Sequence, residues 1–204
     1  MPPRLKMIDN LDNLPDESKA VLAKYLERTG NEYMRIGETV EHPFRKAGSP
    51  EHAEWVTQFV KVLGMSPGLL RTWLEKDWYM VRESLIAKRD PRLTEMIGVV
   101  VAVALQCPYC IAWHSAASKY EGADAAVVDR LRQYEENRAS FSEQQQAVFD
   151  YSIKVALHAY KVLDSDIERL RRWFSDPEIA ELTELACHMA ALSKFFSALD
   201  VEIW

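Results

Sequence analysis

Apolar residues recur at intervals of three and four through most of the chain, the spacing of α-helices that each bury one face. Leu70, Trp73, Leu74, Asp77, Trp78 and Val81 recur at that spacing as one such stripe and predict a helix from Leu69 to about Ala87, closed by Lys88-Arg89-Asp90-Pro91. Ile179, Leu182, Leu185, Ala186, Met189 and Leu192 form another, on a last helix that opens near Asp176-Pro177-Glu178. Towards the N-terminus, Leu14-Pro15-Asp16-Glu17 reads as a helix start and Gly30-Asn31 as its stop. A second helix begins near Asn31 and fades at His42-Pro43. Ser49-Pro50-Glu51 opens a third, with proline at the first position. Gly64-Met65-Ser66-Pro67-Gly68 is a further break, with Ser66 as a cap. Gly122, the stretch 137–142 and Asp164-Ser165-Asp166 divide the remainder into more helices.

One segment breaks this amphipathic rhythm. Met96 to Leu105 is an apolar run of ten residues between Glu95 and Gln106. Four of them are valine, which also suits a strand. No second strand candidate exists to pair with it, and an unpaired strand would leave its backbone groups unsatisfied. The run therefore reads as buried helix, and it is half the length of about 20 residues that a membrane span needs. The expectation is an all-α bundle in two parts, an N-terminal helical extension over 1–60 and a core over 61–204.

Composition narrows the classes of function. With 25 Lys+Arg against 31 Asp+Glu the chain carries a formal charge of −6, and no basic stripe is present to hold nucleic acid. The N-terminal stretch lacks the apolar core of a secretory signal. Three cysteines are too few for a disulfide-stapled secreted domain. These features predict a cytoplasmic protein with reduced thiols, bound neither to membrane nor to nucleic acid.

Two of the thiols stand in one motif, Cys107-Pro-Tyr-Cys110-Ile-Ala-Trp-His114. Pro108 marks the first position of a helix, so Cys107 and Cys110 fall in its first turn, where unpaired N–H groups and the helix dipole favour a thiolate. Cys110 and His114 lie one turn apart, close enough for proton exchange directly or through one water. Glu95 stands about as far before the turn at Gln106 as His114 stands after it. At about 1.5 Å per residue the two differ in height by only roughly 4 Å, so the carboxylate can face and orient the imidazole. It is also the only ionisable side chain between Thr94 and Gln106.

Glu95, Cys107, Cys110 and His114 have the spacing of the alkylhydroperoxidase D (AhpD)-like group of the carboxymuconolactone decarboxylase superfamily, and the chain resembles its peroxidase-related branch. Gly64-Met65-Ser66-Pro67 and the stretch Asp166 to Ile179 are similar to the group's pre-core turn and late helix-turn-helix. The resemblance implies an AhpD-like helical bundle with the Cys-X-X-Cys motif at the N-terminus of a core helix. It implies a homo-oligomer (trimer, dimer or hexamer) and a thiol peroxidase that reduces alkyl hydroperoxides. By carry-over Cys110 is the peroxidatic cysteine, Cys107 the resolving one, and Glu95 with His114 the proton relay. No cofactor is implied beyond the cysteine pair and an external dithiol reductant, which for AhpD is a lipoyl group on a partner protein. Two positions depart from the pattern: Tyr109 replaces a histidine between the cysteines, and Ser193-Lys194 stand where Asn-Arg is usual.

Other readings of the same residues stay open. The thiols fit a redox sensor or disulfide exchanger, or a metal-binding module in which Cys187 or His188 adds a ligand to Cys107, Cys110 and His114. By itself Cys187 reads as a buried, inert thiol on an apolar stripe. His158 and His188 read as packing or hydrogen-bonded histidines, and Trp55, Trp73, Trp78 and Trp173 as core or interface residues.

Overall fold

In the computed structural model the described residues are 4–5, 8–41 and 57–201. The N-terminal helices are α1 (Asp16–Arg28), α2 (Glu32–Thr39) and α3 (Gln58–Leu63), followed by α4 (Pro67–Trp78) and α5 (Leu85–Arg89). The centre is a pair, α6 (Pro91–Ala104) and α7 (Pro108–Tyr120). Beyond it come α8 (Ala125–Leu131), α9 (Tyr134–Asn137), α10 (Glu143–His158), α11 (Asp164–Leu170) and α12 (Asp176–Leu199). No strand occurs among the described residues. The third helix expected from Ser49-Pro50-Glu51, and Trp55, lie outside them.

The apolar run forms the spine of the bundle. α6 is buried continuously from Leu93 to Ala102 and packs against α7, α10 and α12. A helix apolar on every side needs neighbours on every side, and it has them. Its ends are set by sequence: Asp90 accepts the Arg92 N–H at 3.1 Å, and Pro91 takes the first position. The stripe of α12 is buried at all six expected positions, Ile179 to Leu192. Around this centre α1 packs on α4, and α2 on α7. No helix among the described residues is long and apolar enough to cross a membrane.

The long helix expected from Leu69 to Ala87 is broken. α4 stops at Trp78, residues 79–83 make a π-helical turn, and α5 starts after Ser84. Ser84 does the breaking: its hydroxyl donates to the Met80 carbonyl at 2.8 Å and accepts the Ala87 N–H at 3.1 Å. The side chain thus closes one helix and caps the next, an alternative to the continuous ladder that a serine hydroxyl, donor and acceptor at once, can offer. The apolar periodicity runs across the break and conceals it. At Gly64 to Gly68 the break lies where expected, although Ser66 makes no side-chain cap bond. Ser18 instead donates to the Gly64 carbonyl at 2.7 Å, tying α1 to that turn.

Candidate functional site

The site grows from the turn between α6 and α7. Gln106 takes a left-handed backbone, φ 55°, and the Cys107 N–H returns to the Ala102 carbonyl at 3.0 Å, closing α6. Cys107 then becomes the N-cap of α7, with Pro108 at the first position. Its sulfur does what a serine oxygen does at that place, accepting the Cys110 N–H at 3.4 Å. The Cys107 and Cys110 sulfurs lie 2.8 Å apart, and both are buried free thiols.

Across the helix pair, His114 Nδ1 meets Glu95 Oε2 at 2.9 Å, with both side chains almost wholly buried. This approach depends on a residue inside the apolar run. A Cβ on Gly98 would fall 2.5 Å from His114 Cγ and 2.6 Å from Nδ1, so only glycine lets the ring lie against α6. With Nδ1 committed to Glu95, Nε2 is the nitrogen left for proton exchange.

The other oxygen of Glu95 leads to a residue that periodicity did not mark. Arg82, in the π-helical turn, lies 3.5 Å from Glu95 Oε1. The same guanidinium pairs with Glu32 of α2, Nε to Oε1 at 2.6 Å, and with Glu121 at the end of α7, at 2.9 Å. Burial opposes the Arg82 charge, but the three carboxylates outweigh it and hold the pKa above the usual guanidinium range. Glu121 is pushed up, by burial first and then by its fellow carboxylates against the pull of Arg82. The break at Ser84 is therefore part of the site, because the π-helical turn before it is where Arg82 stands. The sequence signal for it is the serine together with an arginine inside an otherwise apolar stripe.

The two thiols are unequal. Cys107 is lowered to about 7 because the Cys110 thiol and the Cys110 N–H both donate to it, against the cost of burial; Ser197 and His114 add to the effect. Cys110 is pushed well up, by burial first and then by Cys107. The resting anion thus belongs to Cys107. Cys110 instead faces a cleft, in company with His114 and Asp77, between walls built from Tyr33, Tyr109, Trp113 and Phe196 among others. The cleft holds about 360 Å³ of empty space, its open mouth included. Ser193 of α12 is buried and lies close enough to Cys110 to favour its anion.

The N-terminal helices contribute walls as well. Tyr33 of α2 stacks on Trp113 at 4.5 Å between ring centroids, and Tyr109 packs on Phe196 at 4.8 Å. Tyr33 and Tyr109 hydrogen-bond to one another, and burial raises both phenols well above their ordinary value. The residue standing in place of the relay histidine is therefore a neutral wall residue.

Other singled-out residues lie elsewhere. Cys187 is exposed, not buried: it falls on the opposite side of α12 from Leu182, Leu185 and Met189, a rotation that adjacency to Ala186 disguises. Partial burial and Glu184 push its thiol up. His158 is exposed at the end of α10. His188 bonds Asp77 instead of completing a ligand set, and no group of three or more His, Cys, Asp or Glu among the described residues could hold a metal ion.

Comparison with known proteins bears on the family. The model of the carboxymuconolactone decarboxylase family matches residues 67–164, a span from α4 to the start of α11 that contains Arg82, Glu95, both cysteines and His114. That span is similar to the carboxymuconolactone decarboxylase family. No curated protein matches the chain. Among solved structures, an uncharacterized peroxidase-related protein with an alkylhydroperoxidase AhpD core from Ralstonia eutropha JMP134 is similar over 99% of this chain and 93% of its own. The identity is 18% and the TM-score 0.71. An uncharacterized peroxidase-related protein from Silicibacter sp. TM1040 covers 98% of this chain and 90% of its own, at 20% identity and TM-score 0.71. A protein of unknown function from Agrobacterium tumefaciens, suggested to be an AhpD antioxidant defence protein, covers 67% of this chain and 91% of its own, at 20% identity and TM-score 0.58. The all-α fold of the chain is AhpD-like.

Proposed function

We propose that the protein is a peroxidase-like dithiol oxidoreductase that reduces alkyl hydroperoxides through Cys107 and Cys110, with Glu95 and His114 as its proton relay. One observation carries this reading: two free sulfurs 2.8 Å apart, one of them lining a cleft shared with a carboxylate-bound histidine. In the resting pair the negative charge sits on Cys107 and the proton on Cys110. Transfer of that proton to Cys107 puts the thiolate where a small substrate arrives. The Cys110 sulfur then attacks the peroxide, the O–O bond breaks, and Cys110 becomes a sulfenic acid. The leaving alkoxide takes from His114 Nε2 the proton that the thiol pair gave up on ionising and departs as the alcohol, while Glu95 holds the ring in place. Cys107 attacks the sulfenic sulfur, its proton leaves with the hydroxyl as water, and a disulfide forms. An external dithiol, such as a lipoyl-bearing protein, returns both sulfurs to the reduced state. A homo-oligomer is part of the proposal.

The test is peroxide consumption by single variants with a dithiol reductant. Cys110→Ser abolishes turnover, whereas Cys107→Ser leaves a sulfenic acid on Cys110 that dimedone traps. Wild-type rates in both variants would overturn the mechanism. The lowered Cys107 thiol also suits disulfide exchange, so a protein that cycles its disulfide but consumes no peroxide is the redox sensor or exchanger instead. In either case the reduced pair loses one proton near pH 7, against about 8.5 for a free cysteine. Cys110→Ala moves that titration upward, because it removes the larger of the two hydrogen bonds that favour the Cys107 anion.

A further inference from the structure

The cleft carries a charge that the redox chemistry does not use. Asp77 of α4 lines it beside Cys110 and His114, and its side chain is 25% exposed. Its Oδ1 accepts from His188 Nε2 at 3.0 Å. The His188 side chain is fully enclosed, and its Nδ1 is buried without a partner. A second proton on that ring would be a buried N–H with no acceptor, which is costlier than an unfilled lone pair. The neutral tautomer fits, and it leaves the Asp77 carboxylate with its full negative charge.

Around this charge the wall is aromatic, from Tyr33, Phe59, Tyr109, Trp113 and Phe196. No lysine or arginine is among the described residues that line the cleft. Through Glu95, His114 connects to the Arg82 cluster, where three carboxylates share one guanidinium. A carboxylate next to ring faces, partly shielded from water, attracts an organic cation twice, through its charge and through the ring quadrupoles. An anion entering the same space loses its water and gains no partner.

We propose that the cleft beside Cys110 binds an apolar molecule bearing an ammonium group, with the ammonium at Asp77 and the apolar body among the rings. Joined to the dithiol reading, on which this further step rests, the substrate class is an organic hydroperoxide with a cationic group. Hydroperoxides of fatty acids, which bring a carboxylate, are disfavoured.

The test is calorimetric binding to the reduced protein with no peroxide present, using three probes of similar shape. Benzyltrimethylammonium is the cation, neopentylbenzene its neutral isostere, and 3-phenylpropionate the anion. The cation is expected to bind about tenfold more tightly than the neutral probe, and the anion more weakly than either. Asp77→Asn keeps an acceptor for His188 and brings cation and neutral probe within about twofold, since the charge that separates them is gone. Equal affinities in the wild type, tighter binding of the anion, or no binding of the cation would each overturn the proposal, and so would an unchanged preference in folded Asp77→Asn. Cation preference without peroxide turnover keeps the cleft and loses the dithiol mechanism; turnover without cation preference does the reverse.

Discussion

Two ion clusters in this molecule are near inverses. At the first, one arginine, Arg82, serves three carboxylates from three helices, with its side chain 14% exposed. At the second, one carboxylate, Asp150 of α10, serves two arginines and a phenol. It accepts from Tyr134 at 2.7 Å, Arg138 Nε at 3.0 Å and Arg169 Nη1 at 2.7 Å, and the arginines are 43% and 35% exposed. The Asp150 cluster is saturated with donors and wet, a staple joining α10 to its neighbours. The Arg82 cluster is short of positive charge and drier, and one of its carboxylates is spoken for by His114. Excess charge kept in a protected place is costly to the fold. On the proposed reading, that cost separates a cluster kept for chemistry from one kept for structure.

Removing each centre sharpens the contrast. Arg82→Met leaves three carboxylates together in a mostly buried setting and is expected to destabilise the protein by about 3 kcal/mol, read from urea unfolding. It also slows alkylation of the cysteine pair, because Glu95 no longer holds His114. A loss confined to stability, with thiol reactivity intact, would make Arg82 as purely structural as Asp150. Gly98→Ala comes next, at about 2 kcal/mol, since its methyl must displace the His114 ring. The reactivity of Cys110 falls with it.

Asp150→Asn is expected to cost about 1 kcal/mol at neutral pH and to leave thiol reactivity unchanged. The folded pKa of Asp150 is lowered from 3.8, the hydrogen bonds from Arg138, Arg169 and Tyr134 prevailing over burial. The stabilisation is therefore present above pH 3.8 and is lost as pH falls through the folded value, so wild type and variant converge in acid. Glu121 runs the other way. Its pKa is raised above 4.5, so it favours the fold when protonated and ceases to do so as pH rises through the folded value. Glu121→Gln is accordingly expected to raise stability by under about 0.5 kcal/mol at pH 7 and to have no effect near pH 4. Thermal unfolding at both pH values reads this smallest difference.

Much of this was legible in the amino-acid order. The apolar run, the proline starts at Pro91 and Pro108, and the stripe of α12 each rest on local rules, and each lies where those rules put it. Hairpin arithmetic brought Glu95 level with His114, and a 2.9 Å contact joins them. The break at Ser84 was hidden because apolar spacing continued through it, and Arg82 went unnoticed with it. Asp77 and His188 are 111 residues apart, and their pairing depends on how α4 lies against α12, which no periodicity encodes. Cys187 was misplaced by one step around a helix whose other neighbours are buried.

The cleft has one further consequence. Glu95, Cys107, Cys110, His114 and Arg82 all fall within the span 67–164, but Tyr33, Phe59, Leu192 and Phe196, which line the cleft with Cys110 and His114, fall outside it. On the proposed reading, the reacting residues and much of the cleft wall are thus written in different stretches of the chain. On that reading, substitutions in the flanking segments change which ligand the cleft accepts and leave the proposed chemistry in place.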